Sequence, residues 1–289
     1  MPSLFDAIAA ARATLTGSGI SPYEAAVDAE VLARHVLGWD RARLLADGRD
    51  SAPPGFERDF HELVRRRMTR EPVALITGHR EFWGLEFEVT KDVLVPRPET
   101  ELLVEEAVAR GRTAECRLAI DVGTGSGCIA IALTHELRDL RVIAVDSSRA
   151  ALQVAERNAV RNGVSDRIEF LQGDLLEPIS QRAGLIVSNP PYVADSDAAA
   201  LPPEVVRFEP HTALFGGADG LDLIRRLLVE APAHLAPQGR LIVEFGFGQE
   251  AAVRQLACES GWTVVHIRMD LQGIPRTAAL SRPDPQPVQ

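Results

Sequence analysis

The sequence predicts a two-part α/β protein, in which a small helical segment precedes a mostly parallel sheet covered by helices on both faces. Three observations predict it. From Leu118 onward, short apolar runs alternate with helical stretches, a rhythm that demands parallel strands joined by crossover helices. The first 78 residues carry helical spacing and helix-end signals. Between these parts, residues 79–97 alternate apolar and polar positions, as a β-hairpin does. The expected boundaries are therefore 1–78, 79–97 and 98–289.

In the first part, Ser21-Pro22-Tyr23-Glu24 reads as a capping box with proline at the first helical position, and the helical spacing runs on to Leu37 and Gly38. Shorter helices are expected over 4–15, 40–46, 56–69 and 72–76, the last closed by Gly78, and together they make a small bundle. Arg65-Arg66-Arg67 with Arg70 form a basic patch, read as a solvated helix face in preference to a partner-binding patch. The hairpin is expected from the alternation at 82–89 and 92–95, and Pro98-Glu99-Thr100-Glu101 opens a helix to Arg110.

Strands are then expected at 118–122, 141–145, 167–171, 184–188 and 240–245. Helices are expected at 127–136, 149–162, 221–235 and 249–260. The stretches 262–268 and 277–280 read as a closing strand pair, and the Pro- and Gln-rich tail from Arg282 reads as frayed.

Composition bounds the function. Hydrophobic residues make up 46% and charged residues 25% of 289 positions, which excludes wholesale disorder. No apolar run is long enough to span a bilayer and the N-terminus lacks a leader pattern, so a cytoplasmic protein is expected. Three scattered cysteines, Cys116, Cys128 and Cys258, fit neither a disulfide framework nor a zinc site, and the seven histidines show no ligand spacing, so no metal is expected. The net charge of −10 argues against a long nucleic-acid footprint. Residues 1–75 carry 10 Arg against 11 acids, so nearly all the excess acidity lies in the sheet-forming part.

Two motifs carry the chemistry. The turn Asp121-Val122-Gly123-Thr124-Gly125-Ser126-Gly127 lies between the first strand of the sheet and its helix, where glycines let the backbone approach a ligand. A dinucleotide fingerprint would place its third glycine at 128, where Cys128 stands. Asp146 ends the next strand, in place to take both hydroxyls of an adenosine ribose. Asp174 follows the third strand, in place to accept an adenine amino group, with Leu175 flanking the ring. This set fits S-adenosylmethionine better than NAD.

The second motif is Asn189-Pro190-Pro191-Tyr192, after the apolar run 185–188. The Asn189 side-chain carbonyl and the Pro190 backbone carbonyl can each accept one N–H of a planar NH2 group, and Tyr192 can lie against that group. Paired acceptors push electron density back onto a delocalised nitrogen, which points to methyl transfer onto an amide or amino nitrogen. A loop whose prolines merely end the strand is the plainer alternative. It loses because the motif lies at a strand end of the cofactor-binding sheet.

With these segments in view, the chain resembles the HemK/PrmC-type release factor N5-glutamine methyltransferases over nearly its whole length. The resemblance rests on Gly78-His79-Arg80-Glu81-Phe82-Trp83-Gly84-Leu85, Val95-Pro96-Arg97-Pro98-Glu99-Thr100-Glu101, the glycine turn, Ser188 to Tyr192, and Phe208-Glu209-Pro210. It implies a seven-stranded, Rossmann-like, S-adenosylmethionine-dependent methyltransferase sheet, a helical N-terminal domain that helps hold a class I release factor, and the glutamine of the Gly-Gly-Gln motif as substrate. It places Gly123, Thr124, Gly125, Ser126, Gly127, Asp146, Leu175 and Asn189 at the cofactor, beside Asp174, and Asn189, Pro190, Pro191 and Tyr192 at the glutamine.

The competing enzyme reading is methylation of adenine N6 or guanine N2 in nucleic acid, since the same tetrapeptide can grip those groups. A partner-binding protein that has lost catalysis is a third. Arg97 and Glu99 are equally candidates for shaping the substrate entrance and for anchoring the hairpin. Glu209 and Glu244 are acids near the pocket, and Glu244, inside an apolar strand, reads as a buried hydrogen-bonding residue. Cys128 reads as a small core residue.

Overall fold

The computed structural model describes residues 3–113 and 116–282, so the tail from Pro283 lies outside the described residues. Contacts divide the chain into two compact units: Met1–His79 with Pro202–Phe208, and Arg80–Leu201 with Glu209–Gln289.

The first unit holds helices α1 (Leu4–Gly17), α2 (Pro22–Leu37), α3 (Arg41–Asp47), α4 (Phe56–Met68) and α5 (Val73–Thr77). Ser21 caps α2 through its hydroxyl, which accepts from the Glu24 N–H at 3.2 Å, and Gly38 ends that helix at φ 62. The full reciprocal box expected at Ser21 is formed instead at Ser3 and Asp6, at the start of α1. Leu4, Leu15, Leu32 and Phe60 are buried at the centre, with Phe56 stacked on Phe60 at 5.0 Å.

The short helix α9 (Pro203–Phe208), which local patterning did not reveal, belongs to this unit. Its Glu204 accepts from Arg67 at 3.4 Å and from Arg70 at 2.7 Å, while Arg67 also donates to Asp28 at 2.7 Å. Arg66 pairs with Glu71. The arginine run is therefore not the solvated face expected from its sequence. Only Arg65 stands in solvent, and Arg67 is 5% exposed.

The second unit opens on a hairpin of β1 (His79–Phe82) and β2 (Leu85–Glu88). Trp83 at φ 56 and Gly84 at φ 69 both take the left-handed conformation of a two-residue primed turn, so the alternating run read as one strand over 82–89 is broken at its second residue. The stretch 92–95 is not a strand. The Thr90 hydroxyl accepts from the Asp92 N–H at 3.1 Å, and this local turn replaces a ladder while Val93 and Val95 are still buried.

The sheet contains β3 (Leu118–Val122), β4 (Arg141–Asp146), β5 (Ile168–Gln172), β6 (Ala183–Ser188), β7 (Leu235–Glu244), β8 (Thr263–Met269) and β9 (Pro275–Ser281), in the order β5-β4-β3-β6-β7-β9-β8. Neighbours from β5 to β7 run parallel, and β9 pairs antiparallel with β7 and β8. Strand residues alternate between two cores. Ala119, Leu185, Val187 and Ile242 face the core that includes residues of α6 (Glu101–Thr113), α7 (Cys128–Glu136) and the hairpin. Ile120, Ile186, Leu241 and Val243 face the core that includes residues of α10 (Asp222–His234) and α11 (Glu250–Glu259). Helix α8 (Arg149–Arg161) follows β4. This two-faced burial explains why the strands read as apolar runs.

Chain order reverses between β3 and β6, so a crevice opens at their C-terminal ends. Arg282, the first residue of the tail expected to fray, instead lies over the Trp262 ring at 5.8 Å.

Candidate active site

Five strand ends deliver the site. In register, Val122 of β3 lies beside Ser188 of β6, and Ser188 beside Val243 of β7, so the glycine turn, Asn189 and Glu244 emerge next to one another. Asp146 emerges from β4 and Gly173-Asp174-Leu175 from β5. Together with Lys91 to Leu94 and Arg97, residues of the glycine turn, Asp146, Asn189 and Gly173 to Leu175 bound a cavity of about 300 Å³, and Glu244 lies outside its lining.

The glycine turn is held from both sides. The Gly123 and Thr124 N–H groups donate to Val145 C=O at 2.8 and 2.9 Å. Asp146 Oδ2 accepts from the Gly125 N–H at 2.9 Å, and its Oδ1 from the Ser148 N–H at 2.9 Å. Each carboxylate oxygen keeps a further lone pair, so Asp146 can organise the turn and still receive a diol. Burial raises its carboxyl above the ordinary range, against the two N–H bonds.

Asp121 lies beneath the turn with no exposure, accepting from the Thr124 hydroxyl at 2.6 Å and the Ala130 N–H at 3.2 Å. Its Oδ1 has no partner among the described residues, and burial pushes its carboxyl up to about 7. Gly123, Thr124, Gly125 and Ser126 line the cavity. Gly127 is not among the lining residues; a Cβ there would sit 3.0 Å from Ala155 Cβ, so this glycine lets α8 pack closely.

Asp174 and Leu175 line the cavity, with Leu175 left-handed at φ 48. Asp174 is clasped by Arg226 through bonds of 3.1 and 3.0 Å, a partner that local sequence did not foretell.

Asn189 and Pro191 line the cavity, whereas Pro190 and Tyr192 do not. Asn189 Nδ2 donates to Thr100 Oγ1 at 3.0 Å, while neither Asn189 Oδ1 nor the Pro190 C=O accepts a hydrogen bond among the described residues. Tyr192 donates its phenol to Glu244 Oε1 at 3.4 Å, and burial, then the Glu244 charge, hold that phenol protonated. Glu244 is 1% exposed and burial pushes it up to about 7, opposed by the Thr100 and Tyr192 hydroxyls.

Residues that sequence reasoning missed fix the tetrapeptide. Gln249 Nε2 donates to Tyr192 C=O at 3.0 Å, and Val193 bridges to Phe215. Gly216 and Gly220 approach so closely that a Cβ on either would collide with the Pro191 or Tyr192 carbonyl. The glycine cluster Gly216-Gly217-x-x-Gly220 was the available signal.

Arg97 also lines the cavity and pairs with the buried Glu209 at 2.6 Å. Burial raises the Glu209 carboxyl, and Arg97 opposes that rise. The Cys128 thiol is pushed up to about 12 by burial, which makes it a core residue and no nucleophile. No cluster among the described residues could hold a metal ion, and no helix among them is long and apolar enough to cross a membrane.

A profile described as the PrmC N-terminal domain matches residues 6–78, and one described as the methyltransferase small domain matches 98–206. Solved structures include the hMettl16 catalytic domain in complex with a MAT2A 3′UTR hairpin, at TM-score 0.55 and 20% identity over 79% of this chain and 84% of that one. A methyltransferase from Pyrococcus furiosus matches at TM-score 0.53 and 19% identity, over 68% and 88%. At such identity these show the fold: a methyltransferase sheet.

The sequence relatives reach further. The release factor glutamine methyltransferase of Cereibacter sphaeroides is 44% identical, covering 96% of this chain and 98% of its own length. That of Geobacter sulfurreducens is 41% identical over 92% of each. Identity of this extent spans the helical unit, the glycine turn and the tetrapeptide alike, and on it the chain belongs to the release factor glutamine methyltransferase family.

Proposed function

We propose that the protein transfers a methyl group from S-adenosylmethionine to the N5 side-chain amide of the glutamine in the Gly-Gly-Gln motif of class I peptide chain release factors. The observation that carries this reading is the pair of uncommitted carbonyls, Asn189 Oδ1 and Pro190 C=O, at the strand end beside the cavity. In this reading residues 1–78 help bind the release factor, 79–97 form the connecting hairpin, and 98–289 carry the chemistry. A cytoplasmic site of action follows from that partner.

The donor set suits the cofactor. Asp146 would hold the ribose hydroxyls, the Gly123 to Ser126 backbone would lie along the ligand, and Leu175 would flank the adenine; Asp174 would contribute from within its ion pair with Arg226. The hydroxyl of the cavity-lining Ser126, with no hydrogen bond of ordinary length to a described residue, is a further polar group available there. When bound, the cofactor supplies a methyl group already activated by its sulfonium. The chain's own task is to position the nitrogen. Asn189 Oδ1 and Pro190 C=O accept its two hydrogens, which localises the lone pair and orients it for in-line attack. Pro191, which lines the cavity, would restrict the plane of the amide, and Tyr192, clamped by Gln249 and Glu244 outside the lining, would hold the stretch in place. The proton leaves after transfer, so no strong base is required.

The test is incubation with S-adenosylmethionine and a purified release factor, followed by tandem mass spectrometry, with nucleic acid as a parallel acceptor. Methyl on the Gly-Gly-Gln glutamine is expected, lost in Asn189→Ala. Cofactor binding without methylation of that glutamine rejects the reading, and efficient methylation of nucleic acid in its place favours the competing one.

A further inference from the structure

The carboxamide of Asn189 can serve as an acceptor only if its oxygen faces the substrate, and a chain of two buried groups and the half-buried Tyr192 bears on that choice. Asn189 Nδ2 donates to Thr100 Oγ1 at 3.0 Å, across 89 positions of sequence. Thr100 is 2% exposed and Glu244 is 1% exposed. The Thr100 hydroxyl also interacts with the Glu244 carboxylate, whose Oε1 takes the Tyr192 phenol at 3.4 Å. Glu244 Oε2 has no bond of ordinary length to any described residue.

A hydroxyl carries one proton, and Glu244, once ionised as pH rises through about 7, has none to give. With Tyr192 and Thr100 both turned toward Glu244, the Thr100 proton belongs to the carboxylate side and its lone pair to Asn189. Only the NH2 end of a carboxamide can meet a lone pair. The oxygen end is left for the cavity. In the reverse orientation Asn189 would present N–H groups to a substrate NH2, donor against donor, and the grip would fail.

We propose that Thr100 and Glu244 are positioning residues that set the polarity of the Asn189 carboxamide, so that its oxygen receives the substrate nitrogen. This inference rests on the methyl-transfer reading above. It explains why an acid sits at the end of an apolar strand and why a threonine is buried just before α6. Arg276 and Glu99 also act on Glu244, with opposite sign, so the carboxylate is not isolated from charge.

The experiment compares Thr100→Val, which keeps the shape and deletes the hydroxyl, with Thr100→Ser, which restores it. Release-factor methylation is measured with kcat and KM separated, alongside cofactor binding and melting temperature. Thr100→Val is expected to lower kcat by roughly 10- to 100-fold with cofactor affinity unchanged, because the acceptor is misplaced and not removed. Thr100→Ser is expected to recover most of the rate. Near-parental kcat in Thr100→Val, or Thr100→Ser as slow as Thr100→Val, overturns the inference.

Glu244→Gln decides the matter where Thr100→Val does not fold. Its NH2 can donate to Thr100 and turn the hydroxyl proton toward Asn189, so a lowered kcat in a folded protein is expected and an unchanged one overturns the inference. An unsubstituted protein that binds cofactor yet leaves the glutamine unmethylated sinks the functional reading and this inference with it. An active parent with an indifferent Thr100→Val sinks this inference alone.

Discussion

Asn158 and Glu88 exchange two hydrogen bonds: the Glu88 N–H donates to Asn158 Oδ1 at 2.7 Å, and Asn158 Nδ2 donates to Glu88 C=O at 3.0 Å. A side chain on α8 thereby acts toward strand β2 as a neighbouring strand would. The same Nδ2 also donates to Ser126 C=O in the glycine turn at 2.9 Å, so one buried amide joins hairpin, helix and turn.

Asn158→Leu should therefore cost more than a surface substitution. It strands the Glu88 N–H and two carbonyls, at about 1–3 kcal/mol for each group left unsatisfied. A lowered melting temperature together with weaker S-adenosylmethionine binding by calorimetry is expected, because the turn loses an anchor. A variant that melts lower and binds the cofactor as the parent does would separate hairpin from turn and refute the coupling.

Asp146→Ala should weaken cofactor binding by at least 10-fold, since it removes both the proposed ribose acceptor and the anchor of the Gly125 N–H. Asp146→Asn keeps one acceptor oxygen for the turn and should fall between the two. Equal affinity in all three proteins would remove Asp146 from the cofactor site.

The buried acids make stability depend on pH in an unusual direction. Burial raises Asp121 and Glu244 each to about 7, so the native state keeps protons that the unfolded chain releases near its ordinary carboxyl values. Their contribution is fully present below about pH 4 and is lost as pH rises through 7, by roughly 3–4 kcal/mol each. Asp121→Asn with Glu244→Gln removes that loss. The melting temperature of the double variant, measured against the parent, should gain between pH 5 and pH 8; a constant difference would falsify the assignment.

Arg67→Ala should destabilise the helical unit severely. Arg67 is 5% exposed between Asp28 and Glu204, and its removal leaves the half-buried Asp28 without its cation while Glu204 keeps Arg70, at up to about 3–5 kcal/mol. Urea unfolding of the full chain is expected to show an early transition. Arg65→Ala, on an exposed pair, should leave that transition in place.

Much of the fold was legible because its causes are local. Apolar runs of strand length, helix caps at Ser21 and Gly38, and the glycines at 123, 125 and 127 each leave a pattern within a few residues. Trp83 and Gly84 were misread because an alternating run conceals a turn that interrupts it without changing polarity. The bond from Asn189 to Thr100, the clasp of Arg226 on Asp174 and the place of Glu204 beside Arg67 left no trace of this kind. Each joins residues far apart in the chain, and neither partner has a composition that marks it. The sequence therefore nominated the strand-end side chains, and the fold supplied what holds them.

Gly216 and Gly220 leave no room for even one methyl group against the carbonyls of Pro191 and Tyr192. The loop that carries them works as a template cut to one backbone path, so the two stretches must evolve as a matched pair. A homologue with a bulkier residue at either position is expected to carry the stretch corresponding to Asn189–Tyr192 along a different path. Those two glycines consequently offer a quick diagnostic, readable from sequence, for whether a distant relative still presents its carbonyls in the same way.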